Sequence, residues 1–170
     1  MAIILIGGGF MALPAAAQKI VTLGSGFSLP AGVAVDGHGN VFVADTFNNT
    51  VKEIPAGGGA VMTLSSGLFN PYGVAVDGQG DVFFSNTDNN TVMEIPAGGG
   101  AVVTLGSGFF NPYGVALDGQ GNVFVADFAN SLVKKIVLAA PVPALGAWGL
   151  LFCAALLGAA GLWAMERRPA

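Results

Sequence analysis

A single cysteine, Cys153, cannot form an intrachain disulfide, and it lies inside an apolar run near the C-terminus. Oxidation is therefore not what holds this fold together, and the lack of a cystine framework assigns no compartment. Histidine is as scarce: His38 stands alone, which excludes chemistry built on clustered imidazoles around a metal. Charge is sparse too, at 9% of residues. Between residues 18 and 142 the carboxylates of Asp36, Asp45, Glu53, Asp77, Asp81, Asp88, Glu94, Asp118 and Asp127 outnumber Lys19, Lys52, Lys134 and Lys135. A phosphate backbone is repelled by such a surface, so nucleic-acid binding is excluded.

What the chain does have is apolar side chains, 53% of the total, far from a disordered composition. They concentrate at the two ends. Residues 1–17, "MAIILIGGGFMALPAAA", place an apolar stretch before Ala15, Ala16 and Ala17, the small-residue pattern a signal peptidase accepts. The expectation is a signal peptide cleaved after Ala17, with an uncleaved N-terminal anchor as the rival. No Lys or Arg precedes the run, which points to a marginal signal or to a true start further upstream. At the other end, Ala144 to Met165 is about 22 residues without a charge, and as a helix it reaches about 33 Å, enough for a bilayer core. Glu166-Arg167-Arg168 then supplies the basic end expected on the cytoplasmic side. Residues 144–165 are predicted to cross a membrane.

The middle is repetitive. Gly32, Gly73 and Gly114 are spaced 41 residues apart, and Phe42, Phe83 and Phe124, or Ile54, Ile95 and Ile136, keep the same interval. A period of this length is that of propeller blades and similar arrays. Within a unit, apolar runs of four to six residues alternate with Asp-Gly, Asn-Asn and Pro/Gly-rich turns, too short for helices and right for antiparallel strands. The predicted fold is all-β, with three four-stranded propeller blades as a partial or oligomer-completed ring, followed by the transmembrane helix. Ile20 to Leu23 matches the fourth strand of a unit but precedes the first one, while the third unit ends after its third strand at Val137. The N-terminal run is thus expected to complete the last blade. Since three blades do not easily close a ring, two chains combine into a six-bladed ring, or the chain is a truncated member of a longer family.

The segments "GVAVDGHGNVFVADTFNNTVKEI", "GVAVDGQGDVFFSNTDNNTVMEI" and "GVALDGQGNVFVADFANSLVKKI" closely resemble the NHL repeat. "VPALGAWG", Val142–Gly149, with its following apolar helix and basic end, resembles the IPTL-CTERM sorting signal of Gram-negative bacteria, a relative in logic of PEP-CTERM. Pro143, Leu145, Trp148 and Gly149 match that pattern, and Arg167 and Arg168 form its basic end. The resemblance implies recognition by a membrane transpeptidase of the exosortase type during delivery to the cell surface. The domains expected are 1–17, 18–138 and 139–170: leader or anchor, propeller region, and sorting and membrane segment.

Candidate sites follow from the repeat. Asp36, Asp77 and Asp118 sit in "DGxG" hairpins, where a carboxylate fixes backbone N–H groups; the ligand alternation of a calcium loop is absent, and no metal is assigned. Asp45, Asn86 and Asp127 share one position, and because Asn keeps a side-chain oxygen without the charge, a turn-fixing role is expected there. The connections Phe69-Asn70-Pro71-Tyr72 and Phe110-Asn111-Pro112-Tyr113 cross one face of the disc, which makes Tyr72, Tyr113, Asn70 and Asn111 the candidate contacts for a protein or glycan. The functional expectation is an exported, envelope-anchored binding or scaffold module with no catalytic residues and no cofactor. The alternative is a metal-dependent, lactonase-like propeller hydrolase or lyase.

Overall fold

Val, Phe and Ile in runs of five, each bounded by residues that accept a positive φ, pair locally because the turn brings the next run back at once. A computed structural model describes residues 19–138. The expected leader, the membrane helix at 144–165 and the sorting motif lie outside the described residues. Among those described, no helix is long and apolar enough to cross a membrane.

The first unit folds as β1 (Pro30–Val35), β2 (Val41–Asp45), β3 (Thr50–Ile54) and β4 (Met62–Ser65). The second repeats it as β5 (Pro71–Val76), β6 (Val82–Asn86), β7 (Thr91–Ile95) and β8 (Val103–Gly106). The third contains β9 (Pro112–Leu117), β10 (Val123–Asp127) and β11 (Leu132–Ile136). Each unit is one antiparallel meander, of four, four and three strands. The alternating strand direction creates two faces. One carries the Asp-Gly hairpins and the Gly-rich β3–β4 loops. The other carries the connections between units and the 3₁₀ turns, such as Thr46–Asn48, that join β2 to β3.

Local chemistry explains both sets of turns. Asp36 N–H donates to Asn40 O, and Gly39 at φ +88 closes the hairpin. Each 3₁₀ turn ends on a residue in the left-handed region: Asn49, Asn90 and Ser131, at φ 55, 57 and 56. A third left-handed position starts each unit, at Leu29 (φ 46), Asn70 (φ 49) and Asn111 (φ 50). Asn tolerates this conformation, whereas Leu is strained in it. Leu29 is also 63% exposed, so little apolar burial is lost on replacing it. Leu29→Asn should therefore stabilise the fold by about 1 kcal/mol, seen as a rise in the urea midpoint; an unchanged midpoint would mean the site carries no strain.

The core lies between sheets. Phe42, Ala44 and Val51 of the first sheet meet Val74, Val82, Phe84 and Ile95 of the second and Leu68 of the connection between them. The same positions one unit later, Phe83 and Val92, meet Phe109, Val123 and Val125 of the third. Burying each such side chain contributes about 1.5–3 kcal/mol. The inner strands β1, β5 and β9 lie side by side. They approach so closely that a Cβ on Gly32 would overlap the Tyr72 carbonyl oxygen, and one on Gly73 would overlap that of Tyr113.

The third sheet has the three strands expected of its own segment, and among the described residues the fourth place, expected to be filled by residues 20–23, is empty. Ile20 to Leu23 forms no strand and completes no sheet, with Ile20 98% exposed. Pairing needs an edge within reach. The segment instead lies against the first unit, where Gly24 rests near Ile54, Phe27 and Val61, while the open edge of β11 belongs to the third sheet.

Candidate functional site

Asp45, Asn86 and Asp127 end the second strand of each sheet and are all buried. Their Oδ1 atoms accept the backbone N–H of Ser28 at 2.6 Å, Phe69 at 2.7 Å and Phe110 at 2.6 Å, fastening the connection that enters each unit. In the first and third sheets the other carboxylate oxygen meets a lysine: Lys52 Nζ is 2.6 Å from Asp45, and Lys134 Nζ is 2.6 Å from Asp127. Each ammonium also lies over a ring, 5.4 Å from Phe27 and 5.3 Å from Phe109, and donates to a carbonyl, Gly26 O at 3.1 Å or Gly108 O at 2.9 Å. The second sheet replaces all three partners together. Asn86 faces Met93 Sδ at 3.4 Å, and Leu68 occupies the ring position. The exchange Phe/Lys/Asp to Leu/Met/Asn is thus coupled, and sequence reasoning that compared Asp with Asn alone missed it. Aligning positions 27, 52 and 45 with their copies 41 residues on would have found it.

Burial opposes ionisation of Asp127, yet Lys134, the Phe110 N–H and Asn130 Nδ2 hold its carboxyl down at about 2, below its ordinary 3.8. Asp45 is lowered in the same way, with burial again outweighed by Lys52, Asn48 and Ser28. A depressed carboxyl contributes stability above its unfolded value and loses it as pH falls through the folded one. Stability should therefore drop between pH 3.8 and about 2. Asp127→Asn/Lys134→Met, which copies the second sheet, should flatten urea midpoints measured across that window. An unaltered pH slope would show that the pair is not the cause.

On the hairpin face, Asp36 Oδ1 accepts the N–H groups of His38 at 2.9 Å and Asn40 at 2.8 Å. Asp77 and Asp118 repeat this with Gln79 and Asp81, and with Gln120 and Asn122, at 2.8–2.9 Å. These carboxylates are engaged in their own turns, and His38 is exposed. Glu53 lines the cleft between the first and second sheets, and Glu94 the cleft between the second and third. Burial, then the charges of Asp81 and Asp77, push the Glu94 carboxyl up. Among the described residues, no three His, Cys, Asp or Glu side chains form a metal-holding group.

The connection face is different in kind. Tyr72 at the start of β5 and Tyr113 at the start of β9 stack with ring centroids 4.4 Å apart and planes 7° apart. Phe128 continues the column on Tyr113 at 4.5 Å and 7°. In the connections and 3₁₀ turns of the same face, Phe47, Phe69 and Phe110 are more than half exposed. Phe128 stands where the other units have Thr46 and Thr87, whose hydroxyls donate to Pro71 O and Pro112 O at 2.7 Å. No local pattern singles it out, because its ring joins the tyrosines only once the sheets are side by side. The backbone N–H groups of Asn70 and Asn111 donate to Asn49 Oδ1 at 3.0 Å and Asn90 Oδ1 at 2.8 Å, and the exposed side-chain amide of Asn70 donates to Asp88 Oδ2.

Comparison with known proteins agrees with this architecture. The NHL repeat model matches residues 27–53, and the IPTL-CTERM motif matches residues 140–168. No curated protein sequence matches the chain. Among solved structures, a streptogramin B lyase is similar over 65% of this chain and 41% of its own, at 16% identity and a TM-score of 0.52. The nidogen/laminin complex is similar over 62% and 42%, at 23% identity and a TM-score of 0.56. Virginiamycin B lyase from Staphylococcus aureus follows over 66% and 42%, at 10% identity and a TM-score of 0.50. The chain spans about two fifths of the length of these structures. At such identities the likeness shows the fold alone, which is that of β-propeller proteins. The chain therefore carries an NHL repeat in a β-propeller-type array, followed by a C-terminal IPTL-CTERM motif.

Proposed function

We propose that the protein is an exported, envelope-associated binding or scaffold module that holds glycan or protein partners on its connection face. The observation that carries the reading is the stacked column of Tyr72, Tyr113 and Phe128, with its two end rings exposed and the middle one half-buried. Rigid aromatic faces offer large contact area at low entropic cost, and sugars and apolar side chains both stack on them. Export and envelope association rest on the IPTL-CTERM motif at residues 140–168. Binding is preferred to hydrolysis or lysis because the buried carboxylates Asp45 and Asp127 are neutralised by lysines and the hairpin carboxylates fix their own turns.

Two measurements test this. Deleting residues 140–168 should move the protein from the membrane fraction to the soluble one; an unchanged distribution argues against anchoring by the tail. The full chain should sediment with insoluble polysaccharides or bind on a glycan array. Tyr72→Ala/Tyr113→Ala/Phe128→Ala should weaken that binding by about tenfold or more, on the order of 1.4 kcal/mol. Equal binding by wild type and variant would remove the column as the site.

A further inference from the structure

We infer that two copies of this chain close one six-bladed ring, each lending residues 20–24 as the missing fourth strand of the other's third sheet. The inference goes beyond the binding reading, and chain mass and linkage report on it independently of any ligand.

Among the described residues, one kind of seam occurs twice, and both halves of it are left open on the first and third units. On the trailing side, Val51 and Val92 are 0% exposed, while their copy Val133 is 77% exposed. On the leading side, Val74 is 7% exposed, while its copy Val33 is 69% exposed. The close approach is also prepared but unused: Gly32 and Gly73 each face the carbonyl of the next inner strand, whereas a Cβ on Gly114 would meet only Ala126, at 3.6 Å. A surface of the third sheet built to receive a unit, and a surface of the first built to be received, belong to the same interface. Repetition of a heterologous contact closes only if the rotation allows it. Two copies of the three described units make six, within the four to eight or so blades that propellers hold.

Side chains at the open ends fit each other better than a plain continuation of the repeat would. Phe128 takes the next place in the aromatic column, so the following unit cannot carry a tyrosine there. The first unit has Ala31 where the others have Tyr72 and Tyr113. Glu53 and Glu94 line the two internal clefts, which also contain Asp77 and Asp118 of the next sheets. Their copy is Lys135, which at the new seam faces the equivalent position, Asp36 of the second copy. Opposite charges replace like ones at the contact between chains.

The N-terminal segment gives an independent indication. Gly106, in the outer strand of the second sheet, would place a Cβ 3.1 Å from Ile136 and 3.3 Å from Phe109 of the third. Gly24 makes the matching approaches, 3.2 Å from Ile54 and 3.3 Å from Phe27. Residues 20–24 therefore lie where the outer strand of a unit preceding β1 belongs, with no sheet beside them among the described residues. In the ring that sheet is β9–β11 of the second copy, whose β11 edge is open. Translating the register Glu53↔Met62 and Glu94↔Val103 pairs Lys135 of one chain with Val21 of the other.

The full detergent-solubilised chain should have twice the mass of a single chain by light scattering corrected for detergent. In a Cys153→Ser background, Val21→Cys/Lys135→Cys should oxidise to a disulfide-linked pair on a non-reducing gel. Gly114→Ala should halve the mass while retaining the β-sheet circular dichroism, because its Cβ has room within one chain but not against a second. A folded single chain, open multimers, a linkage within one chain, or a Gly114→Ala variant that remains paired would each overturn the inference.

Discussion

Gly73→Ala should destabilise the protein by about 3 kcal/mol or more, one of the largest effects of any single methyl group in this chain. The added Cβ would overlap the Tyr113 carbonyl oxygen and lie 2.8 Å from Val115 N and 3.1 Å from Gly114 Cα. All three are backbone atoms or bonded to one, so no rotamer change relieves the contact. Strands β5 and β9 are each pinned by their own sheets and by the Tyr72–Tyr113 stack, and the seam between the sheets has to open. The sign is decisive, because Gly to Ala in a strand would otherwise stabilise by about 0.5–1 kcal/mol. Urea unfolding of wild type and variant reads the difference, and a neutral or stabilising result would show that the inner strands can move apart.

Lys52→Met should cost about 3 kcal/mol, since it leaves the buried Asp45 carboxylate without its counter-charge. The same methionine is harmless in the second sheet, where Met93 lies beside Asn86 and Leu68. Phe27→Leu/Asp45→Asn/Lys52→Met, which transplants that set, should return to within about 1 kcal/mol of wild type, because a buried ion pair and its apolar replacement are of similar net stability. Unfolding midpoints for the single and triple variants form the test. If the triple is as unstable as the single, the three positions do not act as a unit.

The one copy of the repeat with Ser85-Asn86 in place of Ala-Asp illustrates how far the sequence can be read. That Asn could replace Asp in fastening a turn was legible, since the amide retains the oxygen that accepts the Phe69 N–H. That Lys and Phe had to leave with the charge was not evident, because they lie 7 and 18 residues away from Asp45 and meet it only across strands. Ser85 was unreadable for a similar reason: its hydroxyl donates to Tyr113 O at 2.7 Å, in the next sheet. Tyr72, Tyr113, Asn70 and Asn111 could all be picked out from their turn, whereas the stacking of the two rings and the bonds from Asn49 and Asn90 to the Asn70 and Asn111 N–H groups exist only between neighbouring units.

By itself the sequence determined the all-β class, the strand lengths, the turn positions and the 41-residue unit. Each of these follows from φ/ψ preference and apolar alternation within a few residues, so each is written locally and repeated. Only the tertiary structure decided that Gly73 tolerates no side chain, that Phe128 extends the tyrosine column, and that residues 20–24 lie in an outer-strand position with no sheet beside them among the described residues. Those facts depend on the distance between neighbouring sheets and on which residues then face each other, and no local pattern encodes that spacing.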